Sequence, residues 1–290
     1  MKIFIVLAGV LLAVCSCSKE RAVDGEQSEL ILSGQVAFDG NPQPNASVSK
    51  PASGQLDPLP VTNLGVYVLT MSGSMQTDFT TTKWKNESFV SDVSGNISGG
   101  NVTLRTGTTY DIYAYAPRVA GLSDAHTVPV SHGDDVLWAY TPGTVATAGG
   151  TKAKLAFRHC GAQIGFRLKA SDGTTDLTGA KLVVSGFYKT GTLDAATGIM
   201  TATDPTQTLT DYTGDRTNIL ITGGMMTFAV TVTDVPGRSE PFTGSFSRVL
   251  ESGKSYLYDV VVNMDGAPIA FDGQVVDWVN IEAPDPLPAG

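Results

Sequence analysis

From residue 28 onward, no stretch keeps a helical spacing of apolar residues over 12 positions. Short runs rich in β-branched and aromatic residues recur instead, and Gly, Asn or Pro closes each one. Such runs read as strands separated by turns, because apolar alternation has period 2 in a strand and Gly or Pro breaks it. The 32 Gly and 15 Pro among 290 residues supply this punctuation. Only 16% of residues are charged, which argues against long helices and coiled coils. A hydrophobic fraction of 42% excludes a disordered chain. The net charge of −9 argues against a nucleic-acid partner, whose phosphates demand clustered Lys and Arg. The fold class expected is therefore all-β.

The first residues, MKIFIVLAGVLLAVCSCSKE, place one charge, Lys2, before an apolar run over 3–14. A helix that crosses a bilayer needs roughly 20 apolar residues. The run instead has the form of a secretory signal, and its end resembles a bacterial lipobox. Cys17 fits as the acylated residue, since Ser16 precedes it and polar Ser18, Lys19 and Glu20 follow. Cys15 is the competitor, after the poorer cleavage residue Val14. The expected layout is a signal peptide at 1–16, a lipid-anchored tether at 17–27, an N-terminal β-sandwich domain at 28–150 and a C-terminal one at 151–290. Cys160 is then the one remaining cysteine besides Cys17, and it reads as a buried structural thiol.

Residues 28–38 (SELILSGQVAF) alternate and read as a first strand. Five prolines between 39 and 60 mark a long exposed loop. Further strands are expected at 64–71, 83–90, 101–105, 110–116 and 136–140, with an irregular region at 117–135. The Thr-, Gly- and Ala-rich residues 141–150 form the expected domain junction. Strands then resume at 153–168, 180–188, 218–221, 225–232, 240–247, 256–263 and 269–276. In the run at 110–116, Tyr110, Tyr113 and Tyr115 alternate with small or aliphatic residues in the pattern of a half-buried strand.

The sequence offers little chemistry. His126 and His132 lie near Asp124, Asp134 and Asp135, without the spacing of a known metal motif, and read as a solvated acidic loop. His159 reads as a hydrogen-bonded core residue. No nucleophile elbow or phosphate-binding loop occurs, and Met71–Met75 reads as a hairpin loop. No enzyme, metal or cofactor is expected. Trp138 and Trp278 sit in apolar runs and read as core. Trp84, between Lys83 and Lys85, is the best candidate for an exposed sugar-stacking face, so a surface glycan-binding lipoprotein is the alternative function.

Several segments together resemble the fimbrillin family of Bacteroidetes surface pili. They are Cys17–Glu20, LGVYV at 64–68, YDIYAYAP at 110–117, LAFRHCGAQIGF at 155–166, and LESGKSYLY at 250–258 with VDW at 276–278. The resemblance implies two tandem transthyretin-like β-sandwiches and a lipidated precursor exported to the outer membrane or cell surface. It also implies assembly by strand exchange with other pilus subunits. A protease of trypsin-like specificity removes the first strand, here 28–38, and a neighbour's C-terminal strand fills the groove. Lys50 is the basic residue in the loop and the candidate processing site, but Pro51 follows it. Pro284, Pro286 and Pro288 weaken the tail as a donor strand, leaving 269–281 as the segment that could serve. These departures point to a minor subunit: at the base if uncleaved and lipid-anchored, or, as favoured here, at the tip or as an accessory, with a host or bacterial surface ligand as a further partner.

Overall fold

A computed structural model of the chain describes residues 26–36, 57–210, 216–266 and 268–277. They form strands and turns. The first half contributes β1 (Gln27–Val36), β2 (Asp57–Pro58), β3 (Asn63–Thr70), β4 (Trp84–Ser91), β5 (Asn96–Gly99), β6 (Thr103–Arg105), β7 (Thr109–Ala116), β8 (Val128–Ser131), β9 (Leu137–Val145) and β10 (Thr151–His159). The second half contributes β11 (Ala162–Ala170), β12 (Lys181–Phe187), β13 (Thr190–Asp194), β14 (Ile199–Asp204), β15 (Gln207–Thr210), β16 (Thr217–Ile219), β17 (Met225–Thr233), β18 (Phe242–Val249), β19 (Lys254–Val262) and β20 (Ala270–Asp277).

In the first half, β9, β7, β3 and β4 are hydrogen-bonded in that order, and β5 continues the sheet to β1. β1 in turn pairs with β10, and β10 returns to β9, so the bonding order closes on itself. Alternation directs Leu32 of β1, Val66 of β3, Ile112 of β7 and Phe157 of β10 into one core. In the second half, the sheets β16-β11-β19-β20 and β15-β12-β17-β18 enclose a second core around Ile164, Phe166, Val184, Phe228 and Val260.

A third sheet, β14-β13-β8, joins the halves, since β8 lies in the first and the β13–β14 hairpin in the second. Beneath it Tyr113, Tyr115, Trp138, Leu193 and Ala196 form a third core. The turn of that hairpin, residues 195–198, reaches into the first half as a finger. The Trp138 indole N–H donates to the Ala195 carbonyl at 2.8 Å, and the Ala195 amide donates to the Ala125 carbonyl at 2.8 Å.

This third core corrects two expectations. The tyrosine-rich strand is not half-buried: β7 is covered on both faces, with Ile112 in the first core and Tyr113 and Tyr115 in the third. Residues 117–135 are not wholly irregular, because they contain β8. Two boundaries also move. Residues 153–168 are not one strand; β10 ends at His159 and β11 starts at Ala162. A Cβ on Gly161 would lie 2.6 Å from the Ile219 carbonyl, so the chain changes sheet where only glycine fits. The change therefore falls after β10, and residues 146–150 connect two strands of the same first-half sheet system.

Candidate assembly interface

β1 buries one face along its length. Its inward positions are Ser28, Leu30, Leu32, Gly34 and Val36, with Leu32 3% and Val36 1% exposed. Burying each aliphatic side chain is worth about 1.5–3 kcal/mol. One edge of β1 runs parallel to β10 from Leu30↔Thr151 to Val36↔Phe157. The other edge meets three short antiparallel pieces in turn: β6 through Ser28↔Leu104, β5 through Leu32↔Ile97, and β2 through Val36↔Asp57. The buried Ser28 and Thr151 hydroxyls share a hydrogen bond of 2.6 Å. Between β5 and β2 the Gly34 amide donates to the Gly95 carbonyl at 2.9 Å. Gly95 has φ +76°, and a Cβ there would lie 2.5 Å from the Gly34 carbonyl, so the turn must be glycine to let β1 pass.

β20 sits at the opposite end of the chain and at the edge of its sheet, with β19 as its paired neighbour among the described residues. Ile269 is buried in the second core, and Phe271 packs against Phe246 at a tilt, with ring centroids 4.9 Å apart. The C-terminal segment singled out from the sequence is thus strand over Ala270–Asp277, and Trp278 onward lies outside the described residues.

The other candidate residues are structural. His126 Nδ1 lies 3.0 Å from an Asp194 carboxylate oxygen, across the junction of the halves. Asp124 accepts the His126 amide at 2.9 Å. His132 packs edge-on to Phe187, and burial holds its pKa below the ordinary histidine value. His159 is buried with Nδ1 2.7 Å from Asp135, as a core histidine should be. Among the described residues no group of three His, Cys, Asp or Glu could hold a metal ion. Cys160 is buried, as read from the sequence; burial pushes its thiol up to about 11, and its S–H points at the Gly198 carbonyl 3.6 Å away. Trp138 is core. Trp84 is not an exposed platform: it is half-buried against the first core and edge-on to Tyr110 at 6.0 Å. Lys50 and Cys17 lie outside the described residues.

A Fimbrillin-like family model matches residues 61–278. The chain belongs to the fimbrillin-like family. The match begins after β1 and the proline-rich segment, so β1 is assigned by its place in the fold. Two solved structures share the fold. A candidate cell adhesion protein from Bacteroides ovatus ATCC 8483 is 16% identical, with TM-score 0.64 over 87% of this chain and 98% of its own. A second, from Bacteroides uniformis ATCC 8492, is 19% identical, with TM-score 0.58 over 87% of this chain and 99% of its own. No curated protein matches the chain. Sequence reasoning found the first strand and the tail, but not the 195–198 finger. Its one signal was Asp194 before a small-residue turn ending in Gly198.

Proposed function

We propose that this fimbrillin-like protein is a two-domain structural subunit of a cell-surface pilus, assembled by strand exchange and acting at the tip or as an accessory. The observation that carries the reading is β1: a complete strand at the start of the described chain, filling a groove whose second wall is pieced together from β6, β5 and β2. Such a groove, emptied, presents unpaired backbone and apolar pockets for an incoming strand. The family membership supports a pilus role. Export by a signal peptide at 1–16, acylation at Cys17, outer-membrane attachment, processing at Lys50 and the absence of enzymatic activity complete the proposal. The Pro-rich residues 284–288 favour a subunit that accepts a strand better than it donates one.

Incubating the full chain with a trypsin-like protease tests this. The expected result is a cut after Lys50, release of the β1 fragment on transfer to a neighbour, and loss of both in Lys50→Gln. An uncut 39–60 segment with no higher oligomers would overturn the cleaved-subunit reading.

A further inference from the structure

β10 forms one wall of the β1 groove, and its support is lopsided. One edge bonds to β1 through seven residue pairs. On the opposite edge the backbone ladder to β9 covers Arg158↔Trp138 and His159↔Leu137, supplemented by the Thr141 hydroxyl reaching the Lys154 carbonyl at 3.0 Å and the Thr147 amide donating to the Thr151 hydroxyl at 3.2 Å. When β1 leaves, the backbone ladder that remains on β10 is therefore at its C-terminal end. That end is where the finger docks. Arg158 Nη2 donates to the Thr197 carbonyl at 3.3 Å and to the Gly198 carbonyl at 3.1 Å. Its guanidinium lies 4.7 Å over the Trp138 ring. Gly198 has φ +69°, and a Cβ there would lie 2.4 Å from both Trp138 and Arg158 Nη2. The finger is itself braced: the Asp194 carboxylate accepts the Ala196 amide at 2.9 Å and the Thr197 hydroxyl at 3.0 Å, and β13 pairs with β8.

A half-buried cation given only carbonyls and a ring is a costly way to fill space, since packing alone would favour an aliphatic side chain. The arrangement gains sense as an anchor. β19, which holds the matching position in the second half, needs none, because eight pairs tie it to β11 and eight to β20.

We propose that the finger at residues 195–198, through Arg158, Trp138 and Gly198, is the positioning element that keeps the β10 wall in place once β1 has left, so that the groove stays ready for an incoming strand. This rests on the strand-exchange reading above. The test uses the full chain with a site-specific protease sequence inserted between residues 39 and 56, nicked after folding and then separated from the released β1 fragment. The probe is a fluorescent synthetic peptide of the β1 sequence, Gln27–Val36. Wild-type nicked chain is expected to take up the peptide. Arg158→Met should bind it about tenfold more weakly, the loss expected for a hydrogen bond to a charged group. Gly198→Val should weaken it in the same direction, and Arg158→Lys should recover part of the uptake. In the uncut variants, hydrogen exchange of β10 should match the wild type, because β1 still covers it. In the nicked, peptide-free variants, protection over 151–157 should be lost while the wild type keeps it. Equal uptake and equal protection in wild type and variants would overturn the finger's role and leave strand exchange standing. No uptake by the nicked wild type would overturn strand exchange, and the finger's role with it. Loss of β10 protection already in uncut Arg158→Met and Arg158→Lys would make the contact merely structural and overturn the proposal.

Discussion

The two halves share one wiring plan. In each, the first strand runs parallel to a late strand: β1 to β10, and β11 to β19. In each, that first strand has a short antiparallel neighbour, β6 or β16. The facing sheets repeat as β9-β7-β3-β4 and β18-β17-β12-β15. What differs is attachment. β11 is joined to β10 by only Cys160 and Gly161, so it cannot leave without pulling the first half apart. β1 is followed by 20 residues before β2 resumes. The same strand position is thus tied closely to the strand before it in one half and followed by a 20-residue connection in the other, and under the proposed strand exchange it is this connectivity, rather than sheet geometry, that would set β1 apart.

The largest effect should come from the core residues of the two matched strands. Leu32 of β1 and Ile164 of β11 are both buried, and truncating either to Ala should cost about 2–5 kcal/mol by removing apolar contact and leaving a cavity. The two variants should then part company. Adding the free Gln27–Val36 peptide at excess should raise the denaturation midpoint of nicked Leu32→Ala, by mass action on a state that binds the strand. It should leave Ile164→Ala unchanged. Equal responses would erase the distinction between the halves.

A smaller effect should follow at Gly34. A Cβ there would sit 2.9 Å from Leu59 Cδ2 and 3.1 Å from Phe157 Cε2, both ends of side chains that can give somewhat. Gly34→Val should therefore overpack the groove by about 1–3 kcal/mol. The cost should fall on the seating of β1, read as faster hydrogen exchange over Gln27–Val36 with the second half unaffected. Uniform loss of protection in both halves would show that the groove and the second core unfold as one unit.

How much of this was readable in the sequence follows from what period-2 patterns encode. Alternation located β1 to within two residues, because Leu30, Leu32 and Val36 face one core and their neighbours face solvent. The same logic misread β7, since alternation cannot show that a second core covers the other face. That cover comes from Leu193 and Ala196, about 80 positions away, and from Phe79. The finger was invisible for a related reason. Ala195, Ala196, Thr197 and Gly198 carry no apolar pattern and work through backbone carbonyls. The change of half at Gly161 was hidden inside an unbroken β-like run, where a single glycine marks the boundary only once the Ile219 carbonyl is seen beside it.

The mildest effect should separate the halves by pH. Across the β11–β19 pair, Asp259 accepts Arg167 Nε at 2.8 Å and Lys169 Nζ at 2.5 Å. Burial would raise its pKa, but the hydrogen bonds and charges of Lys169 and Arg167 outweigh it and hold the carboxyl below the ordinary range. A depressed folded pKa means the contribution is fully present above the unfolded value, near 4 for Asp, and is lost as pH falls through the folded one. Across the β1–β10 pair, the matching buried contact is the Ser28–Thr151 hydroxyl pair, which does not titrate. Acidification below about pH 4 should therefore loosen β11 and β19 before β1 and β10, measured as amide exchange corrected for its intrinsic pH dependence. In Asp259→Asn that acid step should disappear, because the variant never carries the charge whose loss drives it. If β11 and β19 keep their order of opening in the variant, the pH response lies elsewhere, and the parallel pair in the second half owes its hold to the apolar core beneath it.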